Sequence, residues 1–141
     1  MGICWRGTSR LYVVPDGCKV NAETFIKLIL KPMVEKDIPK LFGDDAKKAV
    51  FHVNSAPSHV AKATVQWLTD LGVSFICKAQ CMGNSPDLAS MDYAINSIFK
   101  QILKKKKCNS AEQLARICKL QWNKFPLAII RKALLSWKKT C

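Results

Sequence analysis

Residues 49–76 read AVFHVNSAPSHVAKATVQWLTDLGVSFI, and this stretch decides the fold class. Its first five residues, 49–53, are a short apolar run with β-branched and aromatic side chains, which favours an extended strand. The strand runs straight into Asn54, Ser55, Ala56 and Pro57. From residue 58 to 71 the apolar side chains of Val60, Ala63, Trp67, Leu68 and Leu71 recur at helical spacing, and Gly72 ends the helix. Residues 73–76 then read as a second short strand. A strand, a helix and a strand of this length suit a parallel crossover, so the chain is predicted to be α/β.

Upstream, residues 10–14 (RLYVV) read as a strand that ends in the turn Pro15-Asp16-Gly17, with residues 3–6 as its hairpin partner, turned at Gly7. Between residues 22 and 39, Phe25, Ile26, Ile29, Leu30, Met33 and Val34 fall at helical spacing, and Pro32 is expected to kink or divide that helix. The acids around it, Glu35, Asp37, Asp44 and Asp45, read as solvated helix and loop charges. Downstream, 77–86 has no periodicity and reads as a loop. Ser90 can cap a helix that carries Met91, Ala94, Ile95, Ile98, Phe99, Ile102 and Leu103 inward and finishes in Lys104–Lys107. Ser110-Ala-Glu-Gln113 is a capping-box pattern that opens another helix, and Pro126 marks a break before a last amphipathic stretch. Trp5, Trp67, Trp122 and Trp137 read as core or interface residues in preference to base-stacking platforms, since most fall in apolar periodic patterns.

Charge is unevenly placed along the 141 residues. Residues 1–95 hold 11 basic and 9 acidic side chains, whereas residues 96–141 hold 12 basic ones and the single acid Glu112. A surface so one-sided condenses onto polyanions by counterion release. A solubilising tail and an anionic membrane surface are the other readings of the asymmetry. No apolar run approaches the roughly 18 residues that a spanning helix needs, and the first ten residues lack the apolar core of a signal peptide. The seven cysteines, an odd number without a secretory signal, read as reduced thiols in an intracellular setting, and Cys77 and Cys81 are not spaced as a zinc knuckle.

Metal-assisted phosphoryl chemistry needs carboxylates converging on one point, because two divalent ions about 4 Å apart must each be neutralised and oriented. Asp92 stands in the first turn of the helix that Ser90 caps, beside the polar block 85–90 (SPDLAS). An acid there is also what the helix dipole alone would favour. Asn54 occupies the polar end of the 49–53 strand, where a metal ligand would emerge. Its amide oxygen carries no net charge and binds Mg²⁺ or Mn²⁺ far more weakly than a carboxylate does.

These blocks, 50–68 with Gly72 and Val73, and 85–93 (SPDLASMDY), resemble the catalytic domain of the mariner and Tc1 superfamily of DDE/D transposases, in its C-terminal part. Residues 2–11 (GICWRGTSRL) and 98–137 resemble the family as well. The resemblance implies an RNase H-like fold, here an incomplete one: a short mixed sheet flanked by helices, with a helical C-terminal third. It implies chemistry in which three acids and two metal ions nick and join DNA. In the family the strand ends in an Asp where this chain has Asn54, and the Ser-Pro-Asp block leads to a third acid that Asp92 matches, with 37 residues between the two. Ser90 stands where the family commonly has Pro. His59 would face the site by the family pattern, and equally suits a helix start. The first acid, its strand and a helix-turn-helix region are expected before Met1; Asp16 sits in a turn at the wrong point in the order to replace that acid.

The resemblance therefore divides the chain into 1–104, a partial catalytic domain without its first strand and first acid, and 105–141, a basic helical extension of the same domain. It implies a truncated, inactive transposase-derived DNA-binding fragment. Two other readings stay open: a metal-dependent DNA endonuclease or strand-transferase that tolerates Asn54 or borrows acids from another subunit, and a small basic nonspecific nucleic-acid-binding protein. The candidate residues are Asp92 as catalytic acid and sole metal ligand, a weak or lost site, with Asn54 at the degenerate position. Lys104, Lys105, Lys106, Lys107, Arg131, Lys132, Lys138 and Lys139 are the candidate DNA contacts. No cofactor is expected to bind strongly, and Mg²⁺ or Mn²⁺ would serve any surviving activity. DNA is the expected partner, with self-association or a related transposase subunit beside it, no membrane, and a nuclear or cytoplasmic setting.

Overall fold

The computed structural model describes residues 1–53, 56–76 and 94–137. The architecture is the α/β one expected of an RNase H-like domain: short strands of both senses flanked by helices, with a helical C-terminal third. The chain forms two compact units, Val14–Asn84 and Met1–Val13 together with Ser85–Cys141.

In the Val14–Asn84 unit, helix α1 (Ala22–Phe25) is capped by Asn21, whose Oδ1 accepts from Thr24 N at 2.8 Å. Helical backbone then continues to residue 42 through wide π-type turns at Ile26–Leu30 and Met33–Asp37 and helix α2 (Ile38–Phe42). Pro32 was expected to kink or divide this run; it does not divide it, since helical backbone continues on both sides. A proline lacks an N–H and its ring crowds the carbonyl four residues back. Bonding over five residues, as from Lys31 N to Ile26 O, widens the helix around it. The wide turns also shift which residues face inward. Asp37 is consequently buried, at 4% exposure, rather than solvated. Asp45 does behave as a surface charge, paired with Lys48 at 2.9 Å.

Strand β3 (Val50–His52) pairs in parallel with β4 (Ser74–Ile76), with Phe51 opposite Phe75, as the crossover predicted. The connecting helix is divided into α3 (Pro57–Val60) and α4 (Lys62–Asp70) by Ala61, whose backbone is extended (φ −59°, ψ 142°). The buried Thr64 hydroxyl donates to Ser58 O at 2.7 Å, satisfying a carbonyl that the helix break would otherwise orphan. Helix α4 ends in a Schellman arrangement: Val73 N donates to Leu68 O at 3.0 Å and Gly72 N to Thr69 O at 2.9 Å, with Gly72 at φ 64°. Leu68 and Val73 pack in the same core as Phe25 and Leu30. A Cβ at Gly72 would meet nothing within 4 Å, so Gly72→Ala should lose only the backbone term, roughly 1–2 kcal/mol, read as a lower denaturation midpoint at unchanged m-value.

The other unit opens with a hairpin, β1 (Ile3–Cys4) antiparallel to β2 (Gly7–Thr8). The expected strand over 10–14 is absent, and the reversal is at Trp5 and Arg6 rather than at Gly7. This register sets Ser9 beside Gly2: Ser9 N donates to Gly2 O at 2.9 Å, and Gly2 N to Ser9 Oγ at 2.8 Å. The Ser9 carbonyl is taken by the indole N–H of Trp122 at 2.8 Å. Helices α5 (Asn96–Lys104), α6 (Ala111–Asn123) and α7 (Leu127–Trp137) complete the unit. Ser110 caps α6 as expected, its Oγ accepting from Gln113 N at 3.1 Å, while Gln113 Oε1 reaches back past the cap to accept from Asn109 N at 2.8 Å. Pro126 precedes α7, and its carbonyl accepts from Ile129 N at 3.1 Å. Ile95, Phe99, Trp122, Phe125, Ile130 and Ala133 form the core, with Trp122 edge-on to Phe99 at 5.3 Å between ring centroids.

Candidate nucleic-acid interface

The parallel ladder extends to Val53, whose N–H donates to Ile76 O at 3.5 Å, and Asn54 is the next residue in the chain. Asn54, Asp92, Lys138 and Lys139 lie outside the described residues. Among the described residues no group of three or more His, Cys, Asp or Glu side chains is placed to hold a metal ion. Cys4, Cys18, Cys108 and Cys118 are free thiols, and burial pushes the Cys118 thiol above its ordinary pKa.

His59, which the family pattern would direct at the site, has a packing role within its own unit. Its ring stacks on Phe25 with centroids 3.9 Å apart and planes 23° from parallel, and its Nδ1 is buried with no hydrogen-bond partner among the described residues. Burial therefore holds its pKa below the ordinary histidine value of 6.5. The unfolded chain binds the proton more readily than the folded one, so the contribution of His59 is present above the unfolded pKa and is lost as pH falls through the folded one. Denaturation midpoints should fall between neutral and mildly acidic pH more steeply in the wild type than in His59→Phe, which keeps the stack without titrating.

The basic residues occupy two places. Lys104 is the last residue of α5, and Lys105, Lys106 and Lys107 follow in a turn closed by Lys106 N to Leu103 O at 2.9 Å. All four are exposed, and none pairs with a carboxylate among the described residues. The partial negative charge of the helix end tolerates this concentration of cations. On α7, Arg131 and Lys132 are exposed as well.

Arg131 is held in a way the sequence did not signal. Its Nε donates to Trp5 O at 3.2 Å and its guanidinium stands 5.2 Å from the centre of the Trp5 ring. Trp5, expected in a core or interface, is 48% exposed at the tip of the hairpin. Trp122 does fill the core. A lone aromatic at a two-residue turn was the available clue, since a hairpin tip has few neighbours with which to bury a ring.

No protein-family profile matches the chain, and no characterised protein sequence is significantly similar to it. Solved structures are similar. The catalytic domain of Mos1 mariner transposase superimposes with a TM-score of 0.68 at 19% identity, over 87% of this chain and 59% of that one. The same catalytic domain with raltegravir and Mg gives 0.67 at 19% identity, over 87% and 60%. The Mos1 transposase paired-end complex with the left transposon end gives 0.77 at 18% identity, over 96% and 38%. The chain thus shares the RNase H-like fold of the Mos1 mariner transposase catalytic domain, and spans about 59% of that domain's length. No helix among the described residues is long and apolar enough to cross a membrane.

Proposed function

We propose that this chain is a derivative of a mariner/Tc1-like transposase catalytic domain that binds DNA and does not cut it. The observation that carries DNA binding is the exposed run Lys104–Lys107 in a C-terminal third with 12 basic residues and one acid. Such a run, unpaired with carboxylates, gains by displacing the counterions that surround a phosphate backbone. The fold supports the reading, since it is shared with a transposase seen in complex with a transposon end.

Loss of cutting rests on donor chemistry. The parallel ladder at β3 runs out at Val53, and the next residue is the amide Asn54, where the resemblance calls for a carboxylate. A neutral amide at that position does not fit a pair of divalent cations, which need several negative oxygens to bind both and to orient the attacking one. The chain's own residues then supply affinity and positioning only. A duplex oligonucleotide carrying a mariner-type end should be retained at low salt and stay intact with Mg²⁺ or Mn²⁺. Metal-dependent strand cleavage that disappears in Asp92→Ala would overturn the proposal.

A further inference from the structure

The hairpin tip and α7 present a surface whose chemistry differs from that of the lysine run. Trp5 is 48% exposed, its carbonyl is fixed by Arg131 Nε, and the guanidinium lies 5.2 Å from its ring centre. The hairpin tip is thus tied to α7 by a hydrogen bond between residues 126 apart in the sequence. Arg6 beside it and Lys132 beside Arg131 are also exposed. Residues 1–13 and Leu127–Trp137, which build this surface, contain no Asp or Glu at all.

We infer that Trp5, pinned by Arg131, is a stacking platform for an unpaired base of DNA. The inference rests on the DNA-binding reading above and goes further, to the part of the ligand that is recognised. The surrounding charge selects a polyanion over a protein face, because Arg131 and Lys132 stand exposed on segments that contain no Asp or Glu, and a protein partner would have to bring matching carboxylates. Within nucleic acid, the ring face selects unpaired bases, since in a duplex each base face is already covered by its neighbours. Base on indole is tolerant of sequence, every base having a π-face, and an adjacent guanidinium adds to it. The lysine run would contribute charge alone, which does not distinguish single from double strands by base.

The test compares a single-stranded oligothymidylate with a duplex of equal length, each titrated over a range of salt. The wild type should bind the single strand with quenched tryptophan emission. Trp5→Ala should weaken that binding roughly tenfold at every salt concentration, leave the salt slope unchanged and lose most of the quenching, with duplex affinity little altered. Trp5→Phe, which keeps a ring face, should retain most of the single-strand affinity, and matching circular dichroism and thermal midpoints would exclude misfolding. If Trp5→Ala binds and quenches like the wild type, the platform is refuted while the DNA-binding reading stands. If the wild type binds neither oligonucleotide, both readings fall. Loss of self-association in Trp5→Ala with oligonucleotide affinity intact would assign the surface to a second copy of the chain and overturn the inference.

Discussion

Trp122→Ala is expected to cost roughly 3–5 kcal/mol, the range for deleting a large aromatic from a core, and to leave the Met1–Val13 and Ser85–Cys141 unit largely unfolded. Trp122 is fully buried, in contact with Phe99 and with Phe125, whose ring centroids lie 5.3 and 5.5 Å away. Its indole N–H is also what satisfies the Ser9 carbonyl, in a residue that is itself buried. The substitution thus removes packing from α5 and α6 and uncouples the N-terminal segment in one step. With whole-domain stabilities on the order of 5–15 kcal/mol, a loss of this size is a large fraction of the total. Trp122→Phe separates the two contributions: it keeps most of the packing and orphans the carbonyl, for about 1–3 kcal/mol. Denaturant titration followed by near-ultraviolet circular dichroism reads both; an alanine variant within 1 kcal/mol of the wild type, roughly, would mean that this core does not hold the unit together.

Duplex affinity should fall roughly a thousandfold between about 50 and about 200 mM monovalent salt if Lys104–Lys107, Arg131 and Lys132 all meet phosphates. Each phosphate neutralised releases close to one condensed counterion, so the logarithm of affinity falls linearly with that of salt, with slope about −0.9 per contact. Changing all four lysines to alanine should make the slope shallower by roughly 3 to 4, with equal effect on unrelated duplex sequences. Lys104–Lys107 lie at the surface beyond the α5 core contacts, so folding should be little changed. A slope unaltered by the substitution would place the contacts elsewhere on the chain.

Much of the architecture was readable because it depends on residues close in the chain. The 49–76 block encodes the parallel β3–α4–β4 crossover through apolar periodicity and the glycine that closes α4. Ser110 and Gln113 encode the start of α6, and Pro126 that of α7, since caps and breaks are made by neighbours. The hairpin was misplaced: two-residue reversal at Trp5 and Arg6 competes locally with a longer one at Gly7, and propensity does not separate them. Of the candidate site, the basic run Lys104–Lys107 was legible as charge and stands exposed as such. Asn54 and Asp92 were legible only through the family resemblance, because an amide at a strand end and an acid at a helix start are each ordinary when taken alone.

What sequence alone determined, then, is the order and type of most elements, the sign and location of the charge, and an amide at the end of β3. Only tertiary structure decided that Asp37 turns inward, that Trp122 reaches across 113 residues to Ser9, and that Arg131 takes Trp5 as its partner rather than a carboxylate. Short-range bonds are specified by the few side chains that can reach one another along a single helix or turn. A contact between distant segments is chosen by whichever groups the packed core brings within hydrogen-bonding distance, and no local pattern in either segment names the other.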